Sequence, residues 1–172
     1  GLYLRKETPA RLRDLALPFL EKVFPDCAAG KGREYLETVV RLEQERFKTL
    51  ADAPDLLGFY LSDRVGYEEK GLAKFSTPAH ATMLEQISAL LSDVEPFEAA
   101  AIAEKVREFS AAEGVKPGEV FHPLRFAVSG RSKGAGLFDL LAAVGKPRTL
   151  DRITAFLGEA KRFAAHREET KS

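Results

Sequence analysis

Tryptophan is absent from this sequence of 172 residues, and cysteine and methionine occur once each, as Cys27 and Met83. One cysteine excludes a disulfide within the chain and any zinc site built from several thiolates, and it suits a reducing, cytoplasmic setting. The three histidines, His80, His122 and His166, have no cysteine or second histidine at metal-ligand spacing, so no metal site is expected. Long apolar runs are lacking as well. Nothing approaches the ~18–20 residues that span a bilayer, and Leu2-Tyr3-Leu4 gives way at once to Arg5, Lys6 and Glu7, so neither membrane span nor signal peptide is expected. Net charge is missing too: 26 basic side chains face 26 acidic ones, which removes any global pull toward nucleic acid. No serine sits in a nucleophile elbow and Cys27 has no histidine nearby in sequence. No catalytic residue set converges, and an independent enzyme is not expected.

What is present is a helical pattern. Hydrophobic residues make up 45% of the chain, enough for a core, with twelve phenylalanines supplying most of the aromatic packing. Thr8-Pro9 is a cap-then-proline start, followed by Leu12, Leu15, Ala16, Phe19 and Leu20 at helical spacing, with Pro18 marking a kink or early stop. Tyr35, Leu36, Val39, Val40 and Leu42 give a second helix, and Thr49 to Leu61 a third. From Ser62 to Ser76 the pattern breaks, and a subdomain boundary is expected there, dividing 1–75 from 76–172. Thr77-Pro78 opens a helix to about Ser92, and Glu95-Pro96 opens another that Gly114 stops. A segment from Lys116 to Gly130 follows, in which Val120, Phe121 and Phe126 to Val128 could pass for strand but are too isolated to pair. A glycine-rich loop, Gly130 to Gly136, leads into a short helix ending before Gly145, and a long helix closes the chain. The expected fold is all-α: two small packed helical subdomains.

Charge is unevenly distributed. Between Arg125 and Arg152 lie Arg125, Arg131, Lys133, Lys146, Arg148 and Arg152, opposed only by Asp139 and Asp151. A solvated helical face is the ordinary explanation of such an excess, ahead of a polyanion partner. The loop from Gly130 to Gly136 lacks the Gly-Lys-Ser/Thr of a phosphate loop, yet it sets Arg131 and Lys133 beside backbone N–H groups at a helix N-terminus, which suits an anionic backbone or unstacked bases. Arg46, in Gln44-Glu45-Arg46, and Arg125, in Pro123-Leu124-Arg125-Phe126, carry planar guanidinium groups able to bond a base edge twice or stack on its ring. For each, the alternative is an internal salt bridge or a helix-dipole partner.

The run His122-Pro123-Leu124-Arg125-Phe126-Ala127-Val128-Ser129-Gly130, then Gly136-Leu137-Phe138, then Leu141 to Gly145-Lys146, resembles the C-terminal anticodon-binding region of bacterial glutamyl-tRNA synthetases. So do Gly114 to Val120, Leu15 to Leu20, Gln44-Glu45-Arg46 with Lys48-Thr49-Leu50, and Lys70-Gly71-Leu72, ordered matches from about residue 3 to about 157. Two positions depart from the pattern: Gly134-Ala135 stands where Thr/Ser-Pro is frequent, and the tryptophan common near Phe97 is missing.

The resemblance implies a longer parent, a class I ligase that joins glutamate to tRNA-Glu using ATP and Mg²⁺. Neither nucleotide-binding signature of such a ligase is found in this stretch, which is expected to need no cofactor, to have no catalytic residue, and to continue into an N-terminal catalytic domain. A monomer is expected. The same resemblance assigns Arg46 to discrimination at the third anticodon base, cytosine in tRNA-Glu against guanine in tRNA-Gln. It sets Arg125 against the anticodon loop with Leu137 and Phe138 beside it, and Arg131 and Lys133 complete the expected tRNA-binding set. Two alternatives remain open: a non-discriminating synthetase that also charges tRNA-Gln, and a helical protein-interaction module without an RNA role.

Overall fold

A computed structural model describes residues 2–171, apart from the side chain of Leu2. Ten α-helices and no strand occur among the described residues: α1 (Leu2–Lys6), α2 (Pro9–Glu21), α3 (Gly32–Glu43), α4 (Ala53–Leu61), α5 (Glu69–Phe75), α6 (Pro78–Ser92), α7 (Ala99–Glu113), α8 (Pro117–Ser129), α9 (Leu137–Val144) and α10 (Lys146–Lys171). Short 3₁₀ turns cover Gln44–Arg46 and Leu50–Asp52. The all-α expectation holds. Two compact units share the chain, residues 1–63 and 64–172.

The first unit grows from predictable starts. Thr8 Oγ1 accepts from the Arg11 N–H at 3.2 Å and Pro9 occupies the first turn, a cap worth about 1 kcal/mol. The helix runs through Pro18 to Glu21 rather than stopping at it. Leu12, Ala16 and Leu20 on α2 meet Leu36, Val39 and Val40 on α3 and Leu57 and Tyr60 on α4 in a fully buried core. Arg13 is nearly enclosed and bonds Glu37 across the helix pair at 3.0 Å.

The second unit begins earlier than the sequence pattern suggests. Residues 64–75, expected with the first subdomain, are built into the second. The Tyr67 hydroxyl donates to the carbonyl oxygens of Ala127 (2.9 Å) and Arg152 (3.3 Å), and the Phe75 ring packs tilted against Phe126. Burial pushes the pKa of the Tyr67 hydroxyl well above its ordinary value, so it remains a donor. Helix α5 went unseen in the sequence because Gly71 breaks its pattern. A Cβ there would fall 2.0 Å from the Phe126 ring, so this glycine marks close packing rather than a loop. Tyr67, Phe75, Phe126 and Phe156 pack into one aromatic cluster with ring centroids 5.3–5.7 Å apart.

The segment that could pass for strand is helix α8. Pro117 sits in its first turn, the Lys116 N–H donates to Glu119 Oε2 at 3.1 Å, and Val120, Leu124, Ala127 and Val128 are all buried. Burial of a whole helical face outweighs the local β preference of valine and phenylalanine. Helix α7 starts at Ala99, after an irregular turn through Glu95-Pro96.

Candidate nucleic-acid interface

In the second unit the sequence-predicted residues cluster around the α8–α9 connection. Helix α8 ends at Gly130, whose φ of +75° is left-handed and whose N–H bonds the Phe126 carbonyl at 2.7 Å. A Cβ at Gly130 would lie 2.1 Å from the Gly66 carbonyl oxygen, so only glycine permits this reversal. Ser129 stitches the beginning of the loop: its hydroxyl donates to the Arg125 carbonyl at 2.8 Å and accepts from the Arg131 N–H at 3.2 Å. Arg125, half-buried, closes the far end by donating from Nη1 to the Ala135 carbonyl oxygen. The loop is therefore tied at both ends by buried or half-buried groups, in contrast to the flexible connector its glycines suggest.

Pinning the loop leaves Arg131 and Lys133 exposed at its crest. The other cations of this stretch are engaged elsewhere. Lys146 Nζ pairs with Glu95 at 3.1 Å and Arg148 Nε bonds the Val144 carbonyl at 3.1 Å. Arg152 is 2% exposed with Nη1 on the Val128 carbonyl at 3.2 Å. The local charge excess read from the sequence is thus mostly structural, and its solvent-facing part narrows to the loop. Helix α9 follows with no side-chain cap, and Asp139 in its first turn counters the positive end of the helix dipole. Attraction for an anion here rests on the two loop side chains.

Leu137 and Phe138, expected as a pair, part company. Leu137 is 4% exposed and joins Leu140, Leu141 and Val144 in the core, so it supports the site from beneath and does not present a surface to a base. Phe138 is half-buried, edge-to-face on Phe121 with centroids 5.1 Å apart, and the Arg107 guanidinium lies 5.2 Å from its ring centre. Phe121 on α8 and Arg107 on α7 escaped the sequence reading, since neither stands near Phe138 in the chain. The one available signal was the spacing of Phe121 on the partly exposed side of α8.

In the first unit, Arg46 ends the 3₁₀ turn after α3 with its side chain 40% exposed. Its Nη1 lies 3.7 Å from Glu43 Oε2, and Glu43, 1% exposed, accepts the Tyr60 hydroxyl on Oε1 at 2.8 Å. Just beyond, Asp52 Oδ2 takes the backbone N–H groups of Thr49 (2.9 Å) and Lys48 (3.0 Å), which hold its carboxyl below the usual carboxylate range. Among the described residues no group of three His, Cys, Asp or Glu could hold a metal ion, and no helix is long and apolar enough to cross a membrane.

Each unit thus offers a solvent-facing cation on a turn fixed by buried partners, an arrangement suited to unpaired bases and phosphates. Residues 11–157 match the family described as an anticodon binding domain. The glutamate–tRNA ligase of Moorella thermoacetica is 36% identical over 156 residues, 89% of this chain and 32% of that protein. That of Roseiflexus castenholzii is 35% identical over 172 residues, 98% of this chain and 34% of that protein. The crystal structure of a glutamate tRNA ligase from Elizabethkingia meningosepticum matches with a TM-score of 0.75 and 25% identity, over 91% of this chain and 30% of that one. This chain therefore spans about a third of the length of the curated relatives it matches. With the family match reaching across both units, the chain belongs to the anticodon-binding-domain family.

Proposed function

We propose that this chain is the anticodon-reading part of a glutamate–tRNA ligase, continuous with a catalytic domain that uses ATP and Mg²⁺ to join glutamate to tRNA-Glu, and that it acts as a cytoplasmic monomer. Arg46 reads the third anticodon base. Arg125 shapes the loop from Gly130 to Gly136, Arg131 and Lys133 meet phosphates, and Phe138 offers a ring edge or face to an unstacked base, with Leu137 as its buried support. No described residue is assigned to ATP or Mg²⁺, which belong to the catalytic domain.

The observation that carries this reading is the solvent-facing Arg46 guanidinium. A guanidinium only donates hydrogen bonds. The pairing edge of cytosine offers two acceptors, N3 and O2, side by side, whereas that of guanine places N1–H and the N2 amino group at the corresponding positions. A fixed donor therefore favours cytosine and rejects guanine, because two donors cannot satisfy one another.

The test is a titration of the tRNA-Glu anticodon stem-loop at increasing salt. Affinity should fall steeply with salt, and Arg131→Ala or Lys133→Ala should each lower the slope by about one phosphate contact. Absence of binding even at low salt would discard the RNA reading and leave a protein-interaction module.

A further inference from the structure

Arg46 owes its direction to two residues outside the expected set. The turn Gln44–Arg46 is 3₁₀, with three residues per turn, so side chains three apart eclipse. Glu43, the last residue of α3, stands three positions before Arg46, a spacing that brings the two side chains to the same side of the chain. The two oxygens of its carboxylate divide their tasks. Oε1 takes the Tyr60 hydroxyl at 2.8 Å, and Oε2 faces Arg46 Nη1 at 3.7 Å, an ion-pair distance beyond hydrogen-bond range. Tyr60 is itself fully buried on α4.

The backbone of the turn is equally restrained. Gln44, 9% exposed, donates from Nε2 to the carbonyl oxygens of Leu4 (3.1 Å), Arg5 (3.4 Å) and Glu7 (2.6 Å), binding the end of α1 to the turn. Phe47, next after Arg46, is completely buried. Arg46 thus emerges from a turn held by buried neighbours, beside a carboxylate that a buried tyrosine hydroxyl binds from within.

We propose that Glu43 and Tyr60 are positioning residues for Arg46, setting the angle at which its guanidinium meets the third anticodon base and thereby the strength of discrimination. This rests on the base-reading role given to Arg46 above. A long arginine side chain without an anchor can swing to any acceptor, including guanine O6, and selects poorly. Held by a buried anion, it presents its N–H groups along one direction, where cytosine fits and the guanine donors collide. A buried carboxylate stripped of its cation or its hydroxyl donor is costly, so the three groups form one unit.

The experiment measures, in this 172-residue chain, the ratio of affinities for two synthetic anticodon stem-loops that differ only in cytosine or guanine at the third anticodon position. Tyr60→Phe and Glu43→Gln should each lower that ratio by about threefold or more, with Glu43→Asp recovering part of it. In an Arg46→Gln background, Tyr60→Phe should leave the ratio where Arg46→Gln alone puts it, whereas a tyrosine that acts on the ratio without Arg46 would still lower it. Circular dichroism checks folding, and Tyr60→Phe, which removes one oxygen, carries the test if Glu43→Gln unfolds. A ratio unmoved by Arg46→Gln overturns the base-reading role and the positioning role with it. A ratio lowered by Arg46→Gln but unmoved by Tyr60→Phe and Glu43→Gln overturns the positioning role alone.

Discussion

Arg125 donates from its guanidinium to the carbonyl oxygen of Ala135, ten positions ahead, and so closes the loop that carries Arg131 and Lys133. A residue chosen from sequence as a direct base contact thereby acquires a second task, shaping the loop beside it. Ala135 is 4% exposed, so Arg125→Ala takes a charge-assisted hydrogen bond away from a buried residue, costing about 1–3 kcal/mol locally. Amide exchange across 131–136 should accelerate by about tenfold or more, while α6 and α10 stay protected. Stem-loop affinity should fall several-fold in parallel. Unchanged exchange in the loop would show that Ser129 suffices to hold it.

Leu137 and Phe138 should separate stability from binding. Leu137→Ala opens a cavity among Leu140, Leu141 and Val144 and should cost about 2–5 kcal/mol in urea unfolding. Phe138→Ala removes a ring that only partly faces the core and should cost less stability, yet it should weaken RNA binding by about 1–3 kcal/mol. The discriminating result is the crossing of the two effects. If Phe138→Ala leaves affinity intact, its ring serves packing with Phe121 and Arg107 alone.

The sequence conveyed the helices wherever one apolar stripe met a clear start or stop, as at Thr8, Thr77, Gly130 and Gly145. It misled where a tertiary neighbour set the local choice. Gly71 looks like a helix breaker until Phe126 is seen against it, and Val120 and Phe121 look like strand until their helical neighbours are seen to be buried. Among site residues, exposed charge was legible at Arg46, Arg131 and Lys133. The fate of Leu137, the engagement of Arg125 and the company of Phe138 depend on contacts far apart in the chain. A one-dimensional pattern contains no such distances.

Gly71→Ala poses two opposed effects. Alanine gains about 1 kcal/mol of intrinsic helix preference over glycine within α5. Its Cβ, however, would stand 2.0 Å from an aromatic ring that Tyr67, Phe75 and Phe156 hold in place, and overpacking of that kind costs about 1–3 kcal/mol. The clash should win, giving net destabilisation in urea. Combining the change with Phe126→Leu should recover more stability than the sum of the separate effects predicts. Simple additivity would mean that the ring moves aside without cost.

His80 should give the chain a stability step below neutral pH. Burial first, and then the Lys74 charge, lower its pKa from the ordinary 6.5. Thr77 explains how the neutral ring is held: its hydroxyl oxygen accepts the His80 backbone N–H at 3.1 Å, leaving its proton for Nδ1 at 2.7 Å. Phase relations follow from linkage. Between the lowered folded pKa and 6.5 the unfolded chain binds more protons than the folded one, so stability rises with pH across that window and falls as acid is added through it. Asp14 and Asp52 are likewise held low, but their contribution is present above 3.8 and lost only as pH falls below it, a separate window. Glu119 and His122 line the same groove as His80, so the assignment needs a variant. Melting temperatures measured from pH 7.5 to 5 should decline for the native chain and decline less for His80→Gln, whose amide cannot titrate. Parallel declines in both would show that His80 does not carry the effect.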